Sequence, residues 1–261
     1  MSTSGVVVEL QTVTKAFGGL RAVRDVTFNV ERGEIFSVIG PNGSGKSTLF
    51  NLISGVMPAT SGSIRVLGRD IRNLRPHQVS RIGVGRTFQT TQVFADKTVL
   101  ENALVGRHLR VRTGLWQAEL RTRLFRNEEA RHRERSLEIL DIVGLRDHAD
   151  RRASQVPNAL QQRVAIAMAL ANEPELLLLD EPTGGLMEQE VLDLMALLRR
   201  IRDLGVTIML IEHKMRLVRQ VSNRIAVLNN GGLICEGDPG KVLNDERVVE
   251  AYLGTVDAAS A

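Results

Sequence analysis

The octapeptide Gly40-Pro41-Asn42-Gly43-Ser44-Gly45-Lys46-Ser47 constrains this chain more than any other stretch. It fits the pattern G-x-x-x-x-G-K-[ST]. A strand-like apolar run, Ile35 to Ile39, leads into it, and Leu49, Leu52 and Ile53 follow at helical spacing. Glycines let a backbone curl until successive N–H groups converge on phosphate oxygens, and the positive end of the next helix adds to that field. On this reading Gly40, Pro41, Asn42, Gly43, Ser44, Gly45, Lys46, Ser47 and Thr48 form a phosphate cradle. Lys46 reaches the β- and γ-phosphates and the Ser47 hydroxyl is a ligand for Mg²⁺.

The rest of the chain fits such a unit. Val6–Val13, Val26–Val30 and Ser63–Leu67 read as strands, separated by turn residues such as Gly18-Gly19 and Arg32-Gly33. From about 90 to 160 strand signals fade and charge rises, which predicts a helical insert. Trp116, Leu120 and Leu124 form one stripe there, and a second helix runs toward Leu137, Leu140 and Val143 with Gly144 as its left-handed cap. Beyond it, helices through Leu160–Ala171 and Val191–Ile201 alternate with the wholly apolar runs Leu176–Leu179 and Val206–Ile211, the signature of strands buried on both faces of a parallel sheet. Asn230-Gly231 predicts a hairpin. The expectation is an α/β fold: a mostly parallel sheet, an amino-terminal antiparallel β part and an inserted helical subdomain. It forms one domain over 1–254, with a flexible tail at 255–261.

Asp180-Glu181 closes the apolar run Leu176–Leu179. Successive side chains at a strand end point in different directions. One carboxylate can therefore hold a metal's shell while its neighbour faces an attacking water. Asp180 is the expected metal ligand and Glu181 the expected general base; two solvated acids at a strand end are the alternative. Cys235 is the only cysteine, which excludes an internal disulfide and fits a reducing compartment. No apolar run is long enough to span a bilayer and no signal peptide stands out, so the chain reads as cytoplasmic and reaches a membrane only through a partner. Lys plus Arg number 34 against 30 Asp plus Glu, and that balance demands neither nucleic acid nor lipid.

The cradle, Leu176-Leu177-Leu178-Leu179-Asp180-Glu181-Pro182 and a histidine after the next strand together resemble the ABC ATPase family of P-loop NTPases, from Val8 to about Gly254. That resemblance implies ATP and Mg²⁺ as ligands. It implies that Phe17 stacks on adenine, with a plain core Phe as the alternative. It implies that Gln89 senses Mg²⁺ and the γ-phosphate and couples to a membrane partner, and that His213 is the switch histidine. Phe17-Gly18-Gly19-Leu20-Arg21-Ala22-Val23, Arg86 to Gly106, Ile211-Glu212-His213-Lys214-Met215 and Glu250-Ala251-Tyr252-Leu253-Gly254 look like the branched-chain amino acid importer branch, a pattern much of which urea/amide importers and lipopolysaccharide-export ATPases share. The partners implied are membrane permease subunits, a second ABC ATPase subunit and, through the complex, a periplasmic or extracellular solute-binding protein. The implied place is the cytoplasmic face of the membrane.

One segment departs from the family pattern. Its signature, Leu-Ser-Gly-Gly-Gln, falls on Val156-Pro157-Asn158-Ala159-Leu160. Proline has no N–H to offer a phosphate, and Ala159 adds a Cβ where a close approach is needed. Met187, in Gly184-Gly185-Leu186-Met187, stands where relatives usually have Asp or Asn. Because family members sandwich two ATP molecules between head-to-tail subunits, the expectation is one competent and one impaired site.

Nine Arg face four Glu between Arg107 and Arg135, a solvated helical face or a contact for anionic lipid or an acidic permease loop. Nucleic acid is not an expected partner, because aromatics are scarce. A non-transport ABC ATPase and a poorly hydrolysing regulatory partner are the competing readings. A small GTPase fits poorly for want of an Asn-Lys-x-Asp segment.

Overall fold

The computed structural model of the chain describes residues 5–87, 93–107 and 123–258, the side chains of 123–126 and 253–258 excepted. Strands β1 (Val6–Phe17) and β2 (Leu20–Glu31) form a long antiparallel hairpin. With β4 (Ser61–Val66) and β5 (Arg69–Asp70) they make a four-stranded sheet in the order β2-β1-β4-β5. The second sheet comprises β3 (Ile35–Ile39), β6 (Val84–Arg86), β7 (Leu176–Asp180), β8 (Thr207–Ile211), β9 (Arg224–Asn229) and β10 (Gly232–Gly237), in the order β10-β9-β3-β8-β7-β6. Its pairs are parallel except β9–β10. That hairpin turns at Asn230 (φ +47°) and Gly231 (φ +80°), the left-handed pair such a turn requires.

Every residue of β3, β7 and β8 is buried. Alternation sorts them between two apolar layers. Leu177, Leu179, Ile208 and Leu210 face one layer, shared with the helices; Leu176, Leu178, Met209 and Ile211 face the other, shared with the antiparallel sheet. Each such side chain is worth roughly 1.5–3 kcal/mol against leaving it in water, so this register is firmly set.

The α-helices among the described residues are α1 (Lys46–Ile53), α2 (Pro76–Arg81), α3 (Val99–Gly106), α4 (Arg123–Ile142), α5 (Asn158–Leu170), α6 (Glu188–Asp203), α7 (Met215–Val221), α8 (Pro239–Val242) and α9 (Glu246–Ala258). A reciprocal capping box starts α3: Glu101 N donates to Thr98 Oγ1 (3.1 Å) and Thr98 N to Glu101 Oε2 (2.7 Å). Gly144, at φ +71°, stops the chain after α4 as its left-handed cap. The insert is not a separate body. Val99, Leu100, Ile139 and Leu140 share one apolar cluster with Leu177 and Leu210 of the sheet. Arg107 adds a polar clamp, donating to Ala171 O (3.0 Å) and pairing with Glu173 (3.2 Å).

The architecture is the expected α/β one. At the carboxy end α9 continues to Ala258, past the expected boundary at 254. The stripe Trp116–Leu120–Leu124 lies outside the described residues and side chains.

Candidate functional site

The site is built where β3 ends and α1 begins. Within this loop, Gly40 and Gly45 are the two positions where a Cβ has no room. Both have positive φ (+148° and +100°). A Cβ on Gly40 would run into Leu228 O, and one on Gly45 into Ala22 O. The loop is thus wedged between β9 and β2 while it curls. Gly45 is also the N-cap of α1, in the left-handed region, with no side-chain cap and no acid in the first turn. The helix therefore presents its positive end bare to the loop.

Lys46 is buried, and its Nζ folds back on the loop, donating to Gly40 O and Pro41 O (both 2.8 Å). Burial lowers its pKa, while the Glu181 and Asp180 carboxylates work in the opposite direction. Those three groups thus lie in one electrostatic neighbourhood, brought together by strands β3 and β7 on either side of β8.

Asp180, the last residue of β7, is 4% exposed. Its Oδ2 lies 3.6 Å from Arg86 Nη2, and its buried Oδ1 has no hydrogen-bond partner among the described residues. Burial raises its carboxyl pKa, Arg86 beside it lowers it, and the Glu181 carboxylate raises it again. A buried carboxylate oxygen without a donor is an unmet demand that a divalent cation satisfies. Arg86 is held from its other side by Ser54 Oγ, 2.6 Å from Nη1.

Glu181 turns out of the strand at φ +50°, and its N–H donates to Ile211 O (3.0 Å). That backbone conformation costs a non-glycine residue about 1–3 kcal/mol. It sends the Glu181 carboxylate away from Asp180 and toward His213, whose Nε2 lies 2.9 Å from Glu181 Oε1. Both side chains are a little over a third exposed, so solvent reaches the pair.

Phe17 stands at the tip of the β1–β2 hairpin, 49% exposed, with Lys15 Nζ 5.1 Å from the ring centroid. It is not a core Phe, and it sits on the hairpin whose Ala22 abuts Gly45. Gln89 lies outside the described residues.

The altered segment Val156–Leu160 forms the start of α5. Pro157 is its N-cap, without a side-chain cap. Its carbonyl accepts the ordinary helical bond from Gln161 N (3.0 Å) and a second from Leu160 N (2.9 Å), so the Leu160 donor of the first turn closes on the helix itself. Met187 is the N-cap of α6 and 70% exposed; its N–H donates to Glu190 Oε2 (2.8 Å).

Three residues of this neighbourhood escaped the sequence reading as site residues. Arg86 belongs to a three-residue strand too short to show a pattern; its register opposite Leu178 is what sets it against Asp180. Glu212, a buried acid at the end of an apolar strand, is the kind of anomaly that flags itself once strand β8 is drawn. Tyr252 on α9 reaches the Gly40 backbone; burial pushes its phenol up to about 12, with the Gly40 contact acting the other way. No local period announces that contact.

Residues 23–184 match the ABC transporter family, and residues 233–258 match a family described as branched-chain amino acid ATP-binding cassette transporter. The chain is 41% identical to the high-affinity branched-chain amino acid transport ATP-binding protein LivG of Escherichia coli K12, covering 91% of this chain and 94% of that one. It is 39% identical to BraF of Pseudomonas aeruginosa, a protein of the same description, covering 95% and 98%. Among solved structures it resembles MJ1267, an ATP-binding cassette of an ABC transporter, in its ADP conformation (TM-score 0.85, 31% identity, 96% of this chain and 100% of that one). It also resembles the cassette MJ0796 in a dimeric post-hydrolysis state bound to ADP and Pi (TM-score 0.74, 30% identity, 89% and 98%).

Proposed function

This chain belongs to the ABC transporter ATP-binding family, and from that premise we propose that it is the ATP-hydrolysing subunit of an importer for branched-chain or related amino acids. The observation that carries the reading is the convergence of four groups at one loop. Lys46 lies inside the cradle, Asp180 ends the buried strand β7 across β8 from it, and Glu181 and His213 touch each other at its rim.

Each group has a task set by its surroundings. Lys46 exchanges its loop carbonyls for phosphate oxygens of ATP, and the bare amino end of α1 adds backbone donors. Phe17, exposed on the hairpin beside the loop, offers an aromatic face for the adenine. Asp180 and the Ser47 hydroxyl are the oxygens that would hold a magnesium ion beside the phosphates. Held there, it would supply positive charge against the charge that develops on the phosphates. Glu181, out of the strand and in reach of water, orients and deprotonates the attacking water. His213 donates from Nε2 to that carboxylate and holds its direction. Gln89 is assigned the coupling role from resemblance alone.

No described helix is long and apolar enough to cross a membrane, so the coupling we propose runs through permease subunits at the inner face of the membrane. A second ATPase chain completes the pair, and a solute-binding protein delivers the cargo. The start of α5 adds a specific feature. Pro157 supplies no N–H, Ala159 adds a Cβ where the family signature has glycine, and the Leu160 N–H turns back onto the Pro157 carbonyl. The cradle of this chain is complete when a partner with an ordinary signature faces it, whereas the partner's cradle meets a weakened helix end. The favoured partner is therefore a different ATPase chain. Reconstitution in vesicles tests the reading: ATP turnover rises when a branched-chain amino acid and its binding protein are supplied. Turnover indifferent to every amino acid cargo contradicts it.

A further inference from the structure

Glu212 precedes the switch histidine and is 2% exposed. A carboxylate in that position costs several kcal/mol of desolvation unless donors surround it. Three do. Oε1 accepts from Thr183 N (3.1 Å) and Thr183 Oγ1 (2.7 Å), and Oε2 accepts from His213 N (3.2 Å). Thr183 lies two residues beyond Glu181, so one side chain joins the turn that carries the glutamate to the backbone that carries the histidine. Two further bonds run between the same segments: Glu181 N to Ile211 O (3.0 Å) and Lys214 Nζ to Thr183 O (3.3 Å). The Glu181–His213 contact is thus the exposed end of a cross-link whose buried end is Glu212.

We propose that Glu212 is a positioning residue for hydrolysis: it fixes the Glu181 turn against the His213 backbone, so that His213 Nε2 keeps the Glu181 carboxylate aimed at the cradle. This rests on the roles given to Glu181 and His213 above. The strained φ of Glu181 makes such a brace necessary, since that turn has a lower-energy alternative whenever the loop is released. An apolar residue of similar size would serve the packing equally well, but it would leave the Thr183 N–H and hydroxyl and the His213 N–H without acceptors and the two loops free to separate.

Glu212→Gln tests this, because it keeps the volume and turns one acceptor into a donor facing a donor. In the assembled transporter, kcat for ATP falls roughly 10- to 100-fold, as small misplacements of reacting groups do, while KM for ATP stays within about twofold. On a His213→Ala background the same substitution causes no further loss of single-turnover rate, since the two residues act as a unit. Thr183→Val lowers kcat in the same direction and Thr183→Ser restores it, which keeps the test open should Glu212→Gln fold poorly. A wild-type kcat in Glu212→Gln, a loss confined to KM, or an equal loss with and without His213 overturns the proposal. Failure of the underlying reading shows separately, as undiminished turnover in Glu181→Gln.

Discussion

Two helix starts in this molecule invite comparison, that of α1 at the cradle and that of α5 at Pro157. Both lack a side-chain cap and both lack an acid in the first turn, so each presents a positive end that nothing in its own side chains neutralises. They differ in what precedes them. Before α1 stands a left-handed glycine, in a loop wedged so tightly that Gly40 and Gly45 tolerate no Cβ. Before α5 stands a proline without an N–H, whose carbonyl accepts the Leu160 N–H besides the ordinary helical bond from Gln161, the counterpart of Leu49 N to Gly45 O in α1. One end is shaped to receive phosphate; the other lacks the N–H of its cap residue and turns the Leu160 donor inward. A helix dipole alone does not make an anion site, and the backbone ahead of it decides.

The largest effect that sharpens this contrast is at the cradle. Glu181→Gln removes the proposed base and lowers ATP turnover by roughly 10²- to 10⁴-fold, with nucleotide affinity kept. Equal losses in affinity and turnover would break the separation of roles. A smaller effect is expected at the other end. Restoring the family signature in one combined variant (Pro157→Ser, Asn158→Gly, Ala159→Gly, Leu160→Gln) raises turnover of the assembled complex by about twofold, because a second site regains donors for its transition state. Unchanged turnover there would mean that the start of α5 was never limiting.

Much of this was legible in the sequence, and the particulars show why. The cradle announces itself through glycines fixed by backbone need, and Leu176–Leu179 and Val206–Ile211 through unbroken apolarity, because a strand covered on both faces has no polar side. The Asn230-Gly231 turn was equally readable, since few residue pairs accept two positive φ values. What stayed hidden depends on register and on long-range contact. Three-residue β6 has no period, so Arg86 could not be set beside Asp180 until β6 was paired with β7. Glu212 bonds across 29 residues to Thr183, and Tyr252 meets Gly40 from the far end of the chain. Contacts of that kind are products of the sheet order.

Calorimetry of the full-length chain with magnesium ATP is the most direct test of the central claim, that Gly40 to Ser47 holds a nucleotide's phosphates. The account predicts saturable heat with one nucleotide per chain, reduced beyond about tenfold in affinity by Lys46→Ala, which removes a charge-assisted contact. Wild-type protein that takes up no nucleotide, or Lys46→Ala that binds it just as tightly, contradicts the account.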